Sequence, residues 1–308
     1  MKFAAVRPVS RVLARELAAT ALLLVGVSVV VFAILYLAPG DPLHTLGVRE
    51  APGLPRSWYG HYAAWFGKLL QGDFGHSIRT GLPVLPELAR VGVNTLTLTL
   101  GSLVLTLLIA VPIAVHAAAR GDTAGNTAAT IGAYILSAVP VFWFGYIVVY
   151  VFIHQFGMFP LISGTATRQA HAWLYSLVPI FVLGTASGTL AEMIRHLREE
   201  LQRVLAEDYI RTARAKGAPV WRHAFKEGFL IPVTEIMSAK IPFLLGGAVI
   251  VEQVFNWPGM GRMAWQAAQD RDFPVIMGIA LLAAAFVRFG NLLQRVVFTA
   301  VNPRASQE

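Results

Sequence analysis

Three stretches of this 308-residue chain contain no Asp, Glu, Lys or Arg: Leu17 to Ala38, Val91 to Ala119 and Thr123 to Thr167. Each is long enough to cross a hydrocarbon core, which takes about 20 apolar residues in a helix. Inside a bilayer the backbone polar groups of such a run must be bonded within the segment, which a helix does. The chain is therefore expected to be an all-α integral membrane protein. Charged residues are only 14% of the total, against roughly 25% in a typical soluble domain. The first apolar run exceeds the roughly 7–15 residues of a signal-peptide core, and LAPGDP after it is no small-x-small cleavage site, so this span is expected to be retained.

Six transmembrane helices are expected, at about Leu13–Leu37, Asn94–Ala117, Thr127–Ile153, Trp173–Met193, Phe229–Val251 and Val275–Phe298. The run Pro39, Gly40, Asp41, Pro42 ends the first, because proline removes a helix donor and clashes with the preceding turn. His154 to Gly157 and Pro160 mark the exit of the third. Trp58, Tyr59, Tyr62, Trp65 and Phe66 cluster as an interfacial aromatic group would. Lys2, Arg7, Arg11 and Arg15 precede the first span, and eight Lys or Arg residues lie between the fourth and fifth. With an even number of spans these two groups share a side, which the positive-inside bias assigns to the cytoplasm. The expected order is a cytoplasmic N-terminus (1–12), the first span (13–37), an extracytoplasmic segment (38–93), a five-helix core (94–300) containing a cytoplasmic loop (195–228), and a cytoplasmic tail (301–308).

The formal charge of +8 is explained by that bias, and no nucleic-acid partner is expected. The absence of cysteine excludes disulfides, thiolate metal sites and cysteine catalysis. The eight histidines are scattered without a close pair, so no metal site is expected. Gly184, Ser187 and Gly188 superficially suggest an intramembrane serine protease, but no His lies in the fifth or sixth span to act as base. The spacing of Gly184 and Gly188 fits small-residue helix packing instead.

The polar run DYIRTARAKGAPVWRHAFKEGFLIP, Asp208 to Pro232, interrupts this apolar chain. Upstream of it Leu197, Leu201, Val204 and Leu205 make a narrow apolar stripe at helical spacing. Glu199 precedes Arg203, and Glu207 precedes Arg211, by four residues, the favourable order for helical ion pairs. Gly217 followed by Pro219 is a helix stop, and Val220 to Lys226 can form a short second helix. Such a loop is either a plain solvated hairpin or a rigid protrusion able to transmit force into the adjoining spans. Ala213 and Ala215 beside Gly217 give it a surface that another chain could approach closely.

DYIRTARAKG with its following proline resembles the EAA loop of bacterial ABC importer permeases, most closely the B-type subunits of the oligopeptide, dipeptide and nickel branch. LAPGDP, GDFGHSIRTGLPV, VPVFWFG, VEQVFNWPGMGRM and the terminal NPR resemble further runs of that family, and the similarity covers nearly the whole chain. The resemblance implies a type I importer permease fold in the bacterial cytoplasmic (inner) membrane, with both termini cytoplasmic. It implies a second, homologous permease subunit, two ATP-binding subunits and an extracytoplasmic solute-binding protein as partners, beside the lipid bilayer. Arg211, Thr212, Ala213, Ala215, Gly217 and Pro219 match the part of the loop that docks on the ATPase. The chain departs from the family in being about three residues shorter between Gly217 and Pro232, nearly one helical turn. It carries no G-x-x-x-x-G-K-[ST] phosphate loop, so ATP and Mg are expected on the partner ATPase subunits and catalysis is not expected here.

Two cations fall within expected spans, Lys240 in the fifth and Arg288 in the sixth. A cation at the bilayer centre costs some 2.5–3.5 kcal/mol on insertion scales and usually faces a bundle interior or a cavity. Either a structural partner compensates them, Glu235 or another chain for example, or they line a translocation path and favour carboxylate-bearing cargo. A different class of function uses the same residues: an ion-gradient-driven secondary transporter with Lys240, Arg288, Glu235 and Glu252 as coupling charges. A non-transporting membrane scaffold would need no ATPase at all. The motifs do not distinguish peptide, nickel chelate or another solute as cargo.

Overall fold

A computed structural model describes residues 6–37, 58–121, 123–156 and 172–301. The Pro39–Pro42 stop, the exit at Gly157 and Pro160, and the tail beyond Val301 lie outside them. The helices are α1 Val6–Leu37, α2 Trp58–Leu70, α3 Val84–Arg120, α4 Ala124–Ala138, α5 Val141–Phe156, α6 Ala172–Ala186, α7 Thr189–Leu205, α8 Asp208–Ala215, α9 Val220–Ala224, α10 Ile231–Val254, α11 Met260–Asp270 and α12 Phe273–Val301, with a π-helical segment Phe225–Leu230 leading into α10. Among the described residues there is no strand, and the fold is all-α. Three helices are long and apolar enough to cross a membrane, Ala14–Leu37, Val84–Arg120 and Phe273–Val296, or five if each of two bent pairs counts as one span. The chain forms two compact units, one from residues 1–13, 96–257 and 290–308, the other from 14–95 and 258–289.

The bent pairs correct two expectations. The third expected span, Thr127–Ile153, is two helices, α4 and α5, meeting at 99°. Val139 is extended, with φ −80° and ψ 127°, because the ring of Pro140 disfavours helical backbone at the residue before it. The fourth, Trp173–Met193, is α6 and α7 bent by 56°. Gly188 stands at the break with φ +79°, a left-handed conformation that glycine adopts without steric cost. Gly188 is thus a hinge-point residue rather than half of a packing motif.

Gly184 fulfils the packing role alone, and closely. A Cβ there would lie 2.9 Å from the backbone oxygen of Ser102. The hydroxyl of Ser102 donates to the carbonyl of Ile180 at 3.0 Å, and that of Thr106 to the carbonyl of Gly184 at 2.8 Å. Small residues and interhelical hydroxyl bonds hold α3 against α6, as expected where hydrocarbon gives helices no hydrophobic reason to associate. Around this contact Leu98, Leu183, Met193, Ile194, Leu197 and Phe255 form the core of the first unit.

In the second unit α2 packs on α1 through Phe32 and Trp65, joined by Met277 and Leu281 of α12. The aromatic cluster is therefore divided: Trp65 is buried core, and only Trp58 and Tyr59 are strongly exposed as an interfacial group would be. Tyr62 bridges the two roles, its hydroxyl 2.8 Å from that of Ser28 and its ring edge-on to Phe32.

Candidate functional site

The polar loop is built as a short helix rooted in the chain's own core. On α7 the stripe Leu197, Leu201 and Val204 is fully buried, continuing Met193 and Ile194. Val204 then joins Ile210 of α8 and Ala224 of α9 in a small separate cluster. The helix signatures of this stretch are divided between two helices: α7 ends at Leu205, Ala206 and Glu207 intervene, and α8 begins at Asp208. The ion pairs shift accordingly: Arg195 pairs with Glu199, Arg203 with Glu200, and Arg211 with Asp208 at 3.3 Å.

The predicted loop residues separate into an inner and an outer set. Ala213 is buried beside Ile210 and faces the protein interior. Arg211, Thr212, Ala215, Gly217 and Pro219 are exposed on the other side. Gly217 has φ +69°, and its N–H donates to the carbonyl of Arg214 while Ala218 N–H donates to that of Ala213, at 3.1 and 2.9 Å. This is a Schellman cap, which needs a left-handed residue just past the helix end. No atom lies within 4 Å of a Cβ built at Gly217. The glycine is thus set by the backbone turn of this chain, whatever else approaches it.

Lys240 and Arg288, paired only by residue type in the sequence, have different surroundings. The Lys240 ammonium pairs with the carboxylate of Glu192 in the first turn of α7, with side chains 13% and 47% exposed. The expected partner Glu235 lies nearby, lining with Arg195 and His196 a polar cleft of about 230 Å³ that includes this pair. Arg288 meets Glu16 of α1 at 2.8 Å, the two side chains 14% and 5% exposed. Its Nε also donates to the hydroxyl of Thr20 at 3.2 Å. Periodicity along one helix could find neither partner, since Glu192 is 48 residues from Lys240 and Glu16 is 272 from Arg288.

Where the bent pairs approach α10, a cavity of about 580 Å³ opens, lined by Ser137, Pro140, Ser187, Pro242, Gly246 and Gly247 among others. Irregular backbone at membrane depth is tolerated only where it is buried in protein or lines a cavity, and broken helices of this kind supply binding sites in transporters. The start of VPVFWFG and the residues just before Gly188 border this cavity, which no local pattern in the sequence locates.

In the second unit, GDFGHSIRTGLPV and the end of VEQVFNWPGMGRM line one cavity of about 200 Å³, through Ser77, Arg79, Thr80, Pro258, Arg262 and Met263. The Ser77 hydroxyl donates to the buried carboxylate of Asp272 at 2.5 Å, Asn94 Nδ2 donates to the carbonyl of Pro258 at 2.7 Å, and Met260 N–H donates to the Thr95 hydroxyl at 2.7 Å. These bonds tie each run to a neighbouring segment, and Arg79 is also paired to Asp270 at 3.2 Å.

Residues 110–307 match the family described as "binding-protein-dependent transport system inner membrane component". The chain is 37% identical over 302 residues to the oligopeptide transport system permease protein AppB of Bacillus subtilis, covering 92% of this chain and 95% of that protein. It is 33% identical over 292 residues to the glutathione transport system permease protein GsiC of Escherichia coli K12, covering 90% and 92%. A probable peptide ABC transporter permease protein, y4tP of Sinorhizobium fredii, is 32% identical over 307 residues, covering 94% and 97%.

Proposed function

Because the chain belongs to the family of binding-protein-dependent transport system inner membrane components, a multi-pass membrane permease rather than an enzyme, we propose that it forms, with a second related permease, the translocation path of an ATP-driven importer for peptides or similar small solutes. Two ATP-binding subunits dock on the loop 195–228 and hold ATP and Mg. A solute-binding protein delivers cargo on the opposite face. A sixth span, Ile231–Val254, joins the five counted by apolar length, and both termini lie in the cytoplasm.

The observation that carries this reading is the construction of α8. Ile210 and Ala213 root it in the cluster with Val204 and Ala224, while Arg211, Thr212 and Ala215 are presented outward. A push on α8 therefore passes through Val204 to α7, whose N-terminus is the 56° break beside the 580 Å³ cavity. That cavity, more than the two cations, is the segment of path contributed by this chain. Lys240 is assigned to the cleft that borders α7, and Arg288 to a structural pair with Glu16.

Reconstituted complex in sealed vesicles tests the proposal. Peptide uptake should require Mg-ATP on the ATPase side and persist when proton and sodium gradients are collapsed. Uptake that survives without ATP and stops with the gradients would instead establish an ion-coupled carrier, in which Lys240, Glu235 and Glu252 are the coupling candidates.

A further inference from the structure

The second unit contains an apolar groove of about 510 Å³, lined by thirteen residues without a polar side chain, among them Val25, Phe66, Leu70, Leu85, Leu282 and Ala285. That volume lies within the roughly 300–1,000 Å³ of small-molecule sites, but no polar group is present to orient a peptide. We propose that this groove is a phospholipid site, taking one acyl chain of a membrane lipid.

The medium around the groove favours this occupant. Its α1 and α12 residues lie near the middle of Ala14–Leu37 and Phe273–Val296, two of the apolar helices long enough to span a bilayer. Only 11% of the most apolar stretch of Ala14–Leu37 is buried inside the protein, which leaves most of that helix's surface open to lipid tails. Ala21, Leu70, Leu85 and Ala89 line the groove and are themselves exposed, which leaves it open for a chain to enter from the side. The exposed Trp58 and Tyr59 at the far end of α2 suit the headgroup level, which sets Phe66 and Leu70 deeper, along the acyl chain.

The test uses the assembled transporter in nanodiscs of phosphatidylethanolamine and phosphatidylglycerol doped with a phosphatidylglycerol carrying a photoreactive acyl chain. Adducts are expected on the peptides containing residues 66–70 and 281–285. The variant Ala285→Phe, which fills the groove, should lower them about tenfold, the loss expected when some two methylenes are displaced. Ala89→Phe, at an exposed position, should do the same if Ala285→Phe fails to assemble. Adducts confined to outward residues such as Leu22, Val30 and Ile34, unchanged in both filled variants, would overturn the proposal. So would a photoreactive side chain at Leu85 that crosslinks to the second permease instead of to lipid.

Discussion

Arg288 and Lys240 are each a helix-borne cation matched by a glutamate from another helix, yet one pair is closed and the other open. Arg288, Glu16 and Thr20 form a nearly dry constellation within the second unit. Lys240 and Glu192 line a polar cleft of the first unit, and Glu192 is almost half exposed. The comparison teaches that a buried charge in a span is no guide by itself to function. What distinguishes the two is whether the partner's remaining surface faces protein or an opening, and whether the helix bearing it is continuous or begins at a bend.

The largest effect should come from breaking the closed pair on one side only. Arg288→Met takes the guanidinium away from the buried Glu16 carboxylate, and removing one partner of such a pair typically costs about 3–5 kcal/mol. Thermal unfolding in detergent should fall accordingly, and Glu16→Leu combined with Arg288→Met should recover most of the loss. A double variant as unstable as the single would show that the pair is not closed.

A smaller effect is expected at the loop end of the first unit. Gly217→Val forces a β-branched residue to φ +69°, at a cost of roughly 1–2 kcal/mol, and should fray α8 and depress ATPase-coupled uptake. Gly217→Asn keeps a residue that tolerates this conformation and should retain uptake. Equal loss in both would mean that close approach of a partner, rather than the Schellman cap, requires the glycine.

The smallest effect belongs to the open pair. Lys240→Met should change stability by no more than about 1 kcal/mol, since a pair with a solvated partner contributes little. Uptake of an acidic and of a neutral peptide should fall by the same fraction, if at all. A selective loss for the acidic peptide would move Lys240 from the cleft to the cargo path.

Much of the architecture was legible in the sequence because it rests on local pattern. Uncharged length located the apolar helices, and the stripe Leu197, Leu201, Val204 located the buried face of α7. Gly217 and Pro219 marked the end of α8, although the glycine proved to be a left-handed cap. The bends were harder, since an uncharged run looks the same whether it crosses straight or turns; only Val139 before Pro140 and the left-handed Gly188 decide it, and both sit in runs without Asp, Glu, Lys or Arg. The partners of Lys240, Arg288 and Asp272 were beyond reach because Glu192, Glu16 and Ser77 are brought to them by tertiary packing. Ala213 looked equivalent to Ala215 in the motif, and only the fold of α8 onto Val204 and Ala224 turns one inward and the other outward.

The central claim, that the outer face of α8 is where an ATP-binding subunit docks, can be tested directly because the chain has no native cysteine. Single cysteines at Thr212, exposed on α8, and at Thr80, exposed in the second unit, would be treated with a short bifunctional maleimide in the assembled, cysteine-matched complex. The account predicts a covalent product between Thr212→Cys and the ATP-binding subunit, with a yield that changes on adding Mg-ATP, and no such product from Thr80→Cys. A product from Thr80→Cys, or none from Thr212→Cys in a complex that still transports, would contradict it.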